Sequence, residues 1–238
     1  MLFTVEGISI PQPDGKIPLL TIVFLAGTSS RACILFFKNQ QRRKDMQRCG
    51  WVTQDPLYLD YHDNEWGIPQ TDRKKLFEMI CLEGQQAGLS WITVLKKREN
   101  YRRCFHDFDP EKVAAMGPED VERLVLDAGI IRHRGKIEAI INNARALLAM
   151  EQNGEPFAEF IWSFTDHTPQ VTQAATLAGI PASTPVSYAL SKALKKRGFK
   201  FVGTTICYAF MQACGLVNDH LTGCFCHPGG QHDRRVEQ

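Results

Sequence analysis

The sequence has almost no excess of charge. Its 238 residues carry 28 Lys and Arg against 26 Asp and Glu, a formal net charge of +2. A chain so balanced is not a basic tail that binds nucleic acid by bulk charge, although a local basic surface remains open to it. Long apolar runs are missing as well. The run from Ile17 to Gly27 falls short of the ~20 residues that span a bilayer, so no membrane association is expected. A secretory leader begins with basic residues, whereas this start carries Glu6 and Asp14. There is no internal repeat, and no sustained strand alternation after residue 46. Apolar residues at 44% and charged residues at 23% describe an ordinary globule of one or two domains.

A need for disulfides is also lacking. Eight cysteines are present, at 33, 49, 81, 104, 207, 214, 224 and 226, but a chain of this length can build a core without staples. Cys81, Cys104, Cys207 and Cys214 fall in helical apolar patterns, where free buried cysteine is common. A reducing, cytoplasmic setting is expected.

What is present divides at Met46. Residues 1–45 hold six basic groups (Lys16, Arg31, Lys38, Arg42, Arg43, Lys44) and three acidic ones (Glu6, Asp14, Asp45), which leaves 22 against 23, a net of −1, for residues 46–238. The small positive charge therefore belongs to the N-terminal segment. Its Val, Ile, Phe and Thr content suggests a short hairpin. It reads as an extension outside the functional domain, with Met46 as the functional first residue.

From Met46 onward the pattern is helical, and the expected fold class is all-α. Thr71 can cap a helix carrying Leu76, Phe77, Ile80 and Cys81, which ends near Ala87 before Gly88. Ser90 can cap a helix from Trp91 to Phe105. Asp109-Pro110 and Gly117-Pro118 each start a short helix. Further helices are expected over about 135–150, 156–164, 187–197 and 204–214, with a Pro/Ser/Thr-rich loop near 179–185.

Four side chains have metal-ligand chemistry. Cys49 and His62 lie near the start of this region, and His220 and Cys224 near its end. Thiolate and imidazole suit zinc, and four such ligands close a tetrahedron with no room for a catalytic water. On spacing alone the signal is weak, because two Cys and two His are more often unrelated, and Cys214, Cys226 and His227 compete. Basic clusters occur at Lys96-Lys97-Arg98, at Arg132-His133-Arg134-Gly135-Lys136 and at Lys195-Lys196-Arg197. Each can be a solvated helix end. The middle one follows a glycine turn and opens a helix, a setting that holds a phosphate without reading bases. Tyr58, Tyr61 and Trp66 bring three large aromatics into nine residues, and Glu83 stands among small residues ahead of Trp91. Core packing explains most aromatics. A carboxylate on an apolar helix can also face a pocket.

Taken together these segments resemble one family. The stretches Met46–Trp51, Tyr61–Gly67, Leu82–Trp91, Ala128–Lys136, Lys200–Thr205 and Val217–His220 look like those of the bacterial 3-methyladenine-DNA glycosylase I family, within the helix-hairpin-helix DNA glycosylase superfamily. The resemblance covers about residues 46–228 and leaves 229–238 as a tail. It implies a helical bundle whose two ends are joined by one structural Zn2+ per chain on Cys49, His62, His220 and Cys224, with no organic cofactor. It implies a base pocket of Tyr61, Trp66, Glu83 and Trp91, with Tyr58 and Trp51 close by, and Glu83 as the catalytic group. The segment with Arg132, Arg134 and Lys136 would hold the DNA backbone, and Leu89 would fill the gap left by the extruded nucleotide. The wider superfamily places a catalytic Asp downstream of its hairpin, but no Asp occurs between Ala128 and Thr165. The implied reaction is base-excision repair by a monomer: hydrolysis at 3-methyladenine in alkylated double-stranded DNA, giving free 3-methyladenine and an abasic site, with no lyase step.

Two rivals remain at this point. A zinc-stabilised DNA-binding module would need the basic turn but not Glu83. A thiol enzyme would need one cysteine paired with His133 or His167, and no nucleophile motif marks such a pair.

Overall fold

The computed structural model describes residues 47–229. The expectations for the N-terminal extension and for the end of the tail lie outside the described residues.

The described chain is mostly helical. Ten α-helices occur in it: α1 (Pro56–Asn64), α2 (Arg73–Gln86), α3 (Trp91–Leu95), α4 (Arg98–Cys104), α5 (Pro110–Ala114), α6 (Pro118–Leu124), α7 (Arg134–Gln152), α8 (Phe157–Trp162), α9 (Pro185–Lys196) and α10 (Thr204–Ala213). Two short strands, β1 (Gln170–Val171) and β2 (Val217–Asn218), pair in parallel. They lie far apart in sequence and are too short for an alternating pattern to reveal them.

Helix starts follow local chemistry. Asp55, Asp72 and Asp109 each accept a hydrogen bond from a first-turn amide. The cap of α2 is therefore Asp72, with Lys75 N at 2.8 Å, one residue beyond the expected Thr71. Gly117 opens α6, and Asp120 reaches back to its amide at 3.0 Å. Thr184 and Ser187 form a fully reciprocal capping box at α9.

The helix expected from Trp91 to Phe105 is two helices. Lys97 N bonds to Val94 O, three residues back, and the chain turns there before α4 begins. Lys96 pairs with Asp55 at 2.6 Å and Lys97 Nζ donates to Ala128 O at 2.7 Å. The basic cluster is thus tied to its neighbours on both sides of the break.

Helix α2 runs through the core. Nine of its residues are buried, from Leu76 to Gln85, and it packs against α3, α7, α8 and α10. Such a helix has no solvent face along most of its length, so a carboxylate at position 83 is placed inside the molecule. Gly84 lets a neighbour come close. A Cβ there would lie 3.2 Å from Phe201 Cβ and 3.3 Å from Phe201 O. After Gln86 the chain leaves the helix through Gly88 at φ +78°, a conformation that favours glycine.

Candidate active site and metal centre

A cavity of about 260 Å³ opens between α1, α2, α3 and α10. It is lined by Trp51, Tyr58, Tyr61, Trp66, Glu83 and Trp91, the six residues expected to share a pocket. It is also lined by Gln86, Leu177, Ile180, Ala209 and Gln212. Ala209 and Gln212 stand three apart on α10, one turn of one face, but nothing local to that helix ties the face to Glu83.

The aromatic wall is continuous. The Trp51 ring lies 5.0 Å from Tyr58 and 5.0 Å from Trp66, and Tyr61 lies 5.4 Å from Trp91. These edge and tilted arrangements are the favoured ones for aromatic pairs.

Two polar atoms inside this wall have no partner among the described residues. Glu83 Oε2 and Trp91 Nε1 are both buried without a hydrogen bond. An unmet buried polar group costs about 1–3 kcal/mol, so two in one cavity mark a place for a ligand. One is a carboxylate oxygen and the other an N–H donor. Burial pushes the Glu83 carboxyl up to about 8. Burial, with Glu83 next in effect, also raises Tyr58 and holds Tyr61 well above its ordinary value. At neutral pH the pocket by itself therefore carries a neutral carboxyl beside neutral phenols.

Cys49, His62, His220 and Cys224 converge as well, all four buried. Cys224 Sγ lies 3.4 Å from His62 Nε2 and 3.5 Å from His220 Nδ1, and Cys49 Sγ lies 3.6 Å from His220 Nδ1. Sulfur and nitrogen ligands about 2.3 and 2.1 Å from one tetrahedral centre stand about 3.6 Å apart. The donor set therefore fits one four-coordinate metal ion. Its surroundings fit too. His62 Nδ1 meets Asp63 at 2.8 Å, and Arg48 grips that carboxylate through two bonds of 2.8 and 2.7 Å. His220 Nε2 meets Trp66 O at 3.0 Å, and the amides of Leu221 and Cys226 point at the Cys49 and Cys224 sulfurs. His227 turns elsewhere, to Thr172 O, and Cys214 is not in the cluster. Through Trp66 the donor set adjoins the pocket wall.

The turn before α7 is held from several sides. Asp127 Oδ1 accepts from Gly129 N at 2.7 Å, Asn100 donates to Gly129 O, and Tyr101 Oη accepts from Ile131 N at 3.0 Å. His133 caps α7 by accepting from Lys136 N. Arg132 is exposed. Arg134 is exposed and bidentate to Glu122 at 2.7 and 2.8 Å. Lys136 departs from expectation. Its ammonium points inward and donates to Gln85 O and Ala87 O at 2.8 and 2.7 Å. The last carbonyls of α2 lack helical partners, and this cation satisfies them. Lys136 thus braces α2 rather than offering its charge to a phosphate. Leu89, just past Gly88, is 41% exposed.

The described cysteines are free thiols. Among the described residues, no cysteine and no lysine lines the cavity.

Comparison with known proteins adds five findings. The family model for methyladenine glycosylase matches residues 51–227. The chain is 80% identical over 186 residues to DNA-3-methyladenine glycosylase 1 of Escherichia coli K12, covering 78% of this chain and 100% of that protein. It is 61% identical over 179 residues to DNA-3-methyladenine glycosylase of Haemophilus influenzae, covering 75% of this chain and 97% of that protein. Among solved structures, a crystal structure of 3-methyladenine DNA glycosylase I superposes at a TM-score of 0.76 with 79% identity, over 76% of this chain and 100% of the other. A Staphylococcus aureus structure concerned with 3-methyladenine recognition superposes at 0.73 with 44% identity, over 75% and 95% of the two chains.

Proposed function

The chain belongs to the methyladenine glycosylase family, and from that premise we propose how its pocket acts. The protein is a DNA-repair glycosylase that excises 3-methyladenine from alkylated DNA. It hydrolyses the N-glycosidic bond, releases the free base and leaves an abasic site. The observation that carries this reading is the pair of unpartnered buried atoms, Glu83 Oε2 and Trp91 Nε1, inside an aromatic cavity.

Alkylation at N3 makes the adenine nucleotide cationic. The base then leaves as a neutral molecule and needs little help from an acid. The lesion must first leave the stack, which costs a few kcal/mol and less for a damaged base. Tyr61, Trp66 and Trp91 offer ring faces, which attract a cation by about 0.5–2 kcal/mol. Glu83 is the catalytic group. Its carboxyl is neutral in the empty cavity, and a cationic base restores its ionised form, so the pair strengthens where water is excluded. An unmodified adenine brings no such charge. As the bond to C1′ breaks, the positive charge passes to the sugar, and an ionised Glu83 also favours that state. Water completes the hydrolysis. We take the reaction to stop at the abasic site with no lyase step, a reading that the absence of lysine from the cavity wall among the described residues supports.

The substrate is double-stranded DNA held at the turn before α7, which acts as the hairpin of a helix-hairpin-helix. Backbone amides there, with Arg132 and Arg134, grip phosphate, and Leu89 fills the space vacated by the flipped nucleotide. Zinc is the metal that suits two thiolates and two imidazoles. With all four positions taken by protein, it would pin the start of the domain to its end and shape the Trp66 wall, with no part in the chemistry. We take the enzyme to act as a monomer in the cytoplasm. The free thiols suit a reducing compartment, and among the described residues no helix is long and apolar enough to cross a membrane.

The test is base release. Methylated duplex DNA incubated with the full chain should yield 3-methyladenine on chromatography and alkali-labile abasic sites. DNA bound without any base released would overturn the enzyme reading in favour of a binding module.

A further inference from the structure

Gln212 has no part in the mechanism above, yet it lines the cavity and its amide has a fixed polarity. Asp219 is fully buried behind it. Asp219 Oδ2 accepts from Tyr208 Oη at 2.6 Å and from Gln212 Nε2 at 2.7 Å. The reverse amide orientation would set two acceptor oxygens against each other at that distance. The Gln212 nitrogen is therefore committed to Asp219, and its oxygen faces the other way. No partner for that Oε1 is found among the described residues. Gln212 lines the same cavity as the unpartnered Glu83 Oε2 and Trp91 Nε1, so its carbonyl, turned away from Asp219, is the group left to meet a ligand there.

We propose that Gln212 is a specificity-determining residue, held in orientation by Asp219, which selects purines with a 6-amino group over those with a 6-oxo group. The inference rests on the glycosylase reading. The exocyclic amino group of 3-methyladenine carries two N–H donors, and the Gln212 carbonyl accepts one of them. A 6-oxo purine turns an acceptor toward that carbonyl, and the amide cannot rotate to meet it without opposing Asp219. Discrimination then comes from a lost hydrogen bond together with oxygen–oxygen repulsion. Asp219 touches no base and acts only through the glutamine.

The test uses the full chain and two free bases, 3-methyladenine and its 6-oxo counterpart 3-methylhypoxanthine, titrated by quenching of the pocket tryptophans. Wild type should prefer the amino base. Gln212→Met keeps the length of the side chain and removes both polar atoms. It should weaken 3-methyladenine binding about tenfold, leave 3-methylhypoxanthine no weaker, and so reduce the preference about tenfold. A purely structural role would weaken both bases alike. If Q212M does not unfold cooperatively, Gln212→Leu serves in its place, and in wild type itself equal affinity for the two bases would overturn the proposal. An unchanged preference in a folded variant would also overturn it. Failure of wild type to bind either base or to release 3-methyladenine from DNA would instead overturn the glycosylase reading.

Discussion

Glu83→Gln should change stability with a pH dependence set by the enclosure of one carboxyl. Burial raises the Glu83 carboxyl to about 8 in the folded protein, whereas in the unfolded chain a glutamate titrates near ~4.3. Below about pH 4 both states are protonated and the group makes no difference to folding. Above that pH the unfolded chain releases the proton while the folded chain keeps it. Stability then falls by about 1.4 kcal/mol for each pH unit. The fall ends near pH 8, where the folded carboxyl ionises as well. By then the accumulated loss is about 5 kcal/mol, against about 1 kcal/mol at pH 5. Glutamine has the same shape and does not titrate, so it escapes this loss. Its amide must still be enclosed without a partner, a pH-independent cost of about 1–3 kcal/mol. The slope is therefore diagnostic, and the sign at any one pH is not.

The assay is urea unfolding of wild type and E83Q at pH 5, 7 and 8.5, with equal metal content. The difference cancels every other titration that the two proteins share. The stability of E83Q relative to wild type should rise by about 4 kcal/mol from pH 5 to pH 8.5, most of it before pH 8. Excision by E83Q should be lost at all three pH values. A difference that does not move with pH would refute the enclosed carboxyl, and full activity in E83Q would remove Glu83 from the chemistry.

Elemental analysis should find one zinc per chain, and Cys224→Ser or prolonged chelation should cost enough folding energy to broaden or abolish the thermal transition. A zinc-free chain that melts cooperatively at the original temperature would refute the structural role. Leu89→Ala should lower kcat/KM on methylated duplex DNA about tenfold and leave free-base affinity intact, because the side chain lies outside the cavity wall. Gly84→Ala should lose a net ~1 kcal/mol in denaturant unfolding, since the new Cβ at 3.2 Å from Phe201 outweighs the better helix propensity of alanine. Lys136→Met should lower the melting temperature and weaken excision without changing the salt dependence of DNA binding, and a slope reduced by about one would restore Lys136 as a phosphate contact.

What the sequence makes legible is what local chemistry determines. Asp109-Pro110 and Gly117-Pro118 announce their helices because cap and first turn are adjacent in the chain. Glu83 stands out because a carboxylate on an otherwise buried helix is costly. The donor set of Cys49, His62, His220 and Cys224 is less legible. The spacing from Cys49 to His62 and from His220 to Cys224 carries little information, and the donor set closes only in the fold, where Cys224 and His220 meet His62 of α1. Gln212 gives no signal of its own. Its role depends on Asp219, seven residues on and past the end of α10, and on a cavity built mostly from α1, α2 and α3. The helix break at Lys96-Lys97 is hidden for the same reason, because the partners of those lysines, Asp55 and Ala128, are distant in sequence.

Lys136 shows why a cation's place in a motif does not decide its direction. Beside Arg132 and Arg134 it reads as a third positive charge for phosphate. The end of α2, however, exposes carbonyls that lack helical partners, and the loop through Gly88 supplies none for Gln85 O and Ala87 O. An ammonium with three donors meets that need better than any neutral side chain in reach. The same junction is braced from the side: Tyr101 accepts from Ile131 N and donates to Gln85 Oε1, while Gln85 Nε2 donates to Lys136 O. The turn that would grip DNA, the helix that carries Glu83 and the loop that carries Leu89 are thus bonded into one piece. Displacing the turn would strain bonds at Gln85, two residues from Glu83. If DNA is held at the turn and the base in the pocket, the two keep a constant distance, and near-neutral overall charge would suffice because position, not charge excess, would bring the lesion to the carboxylate.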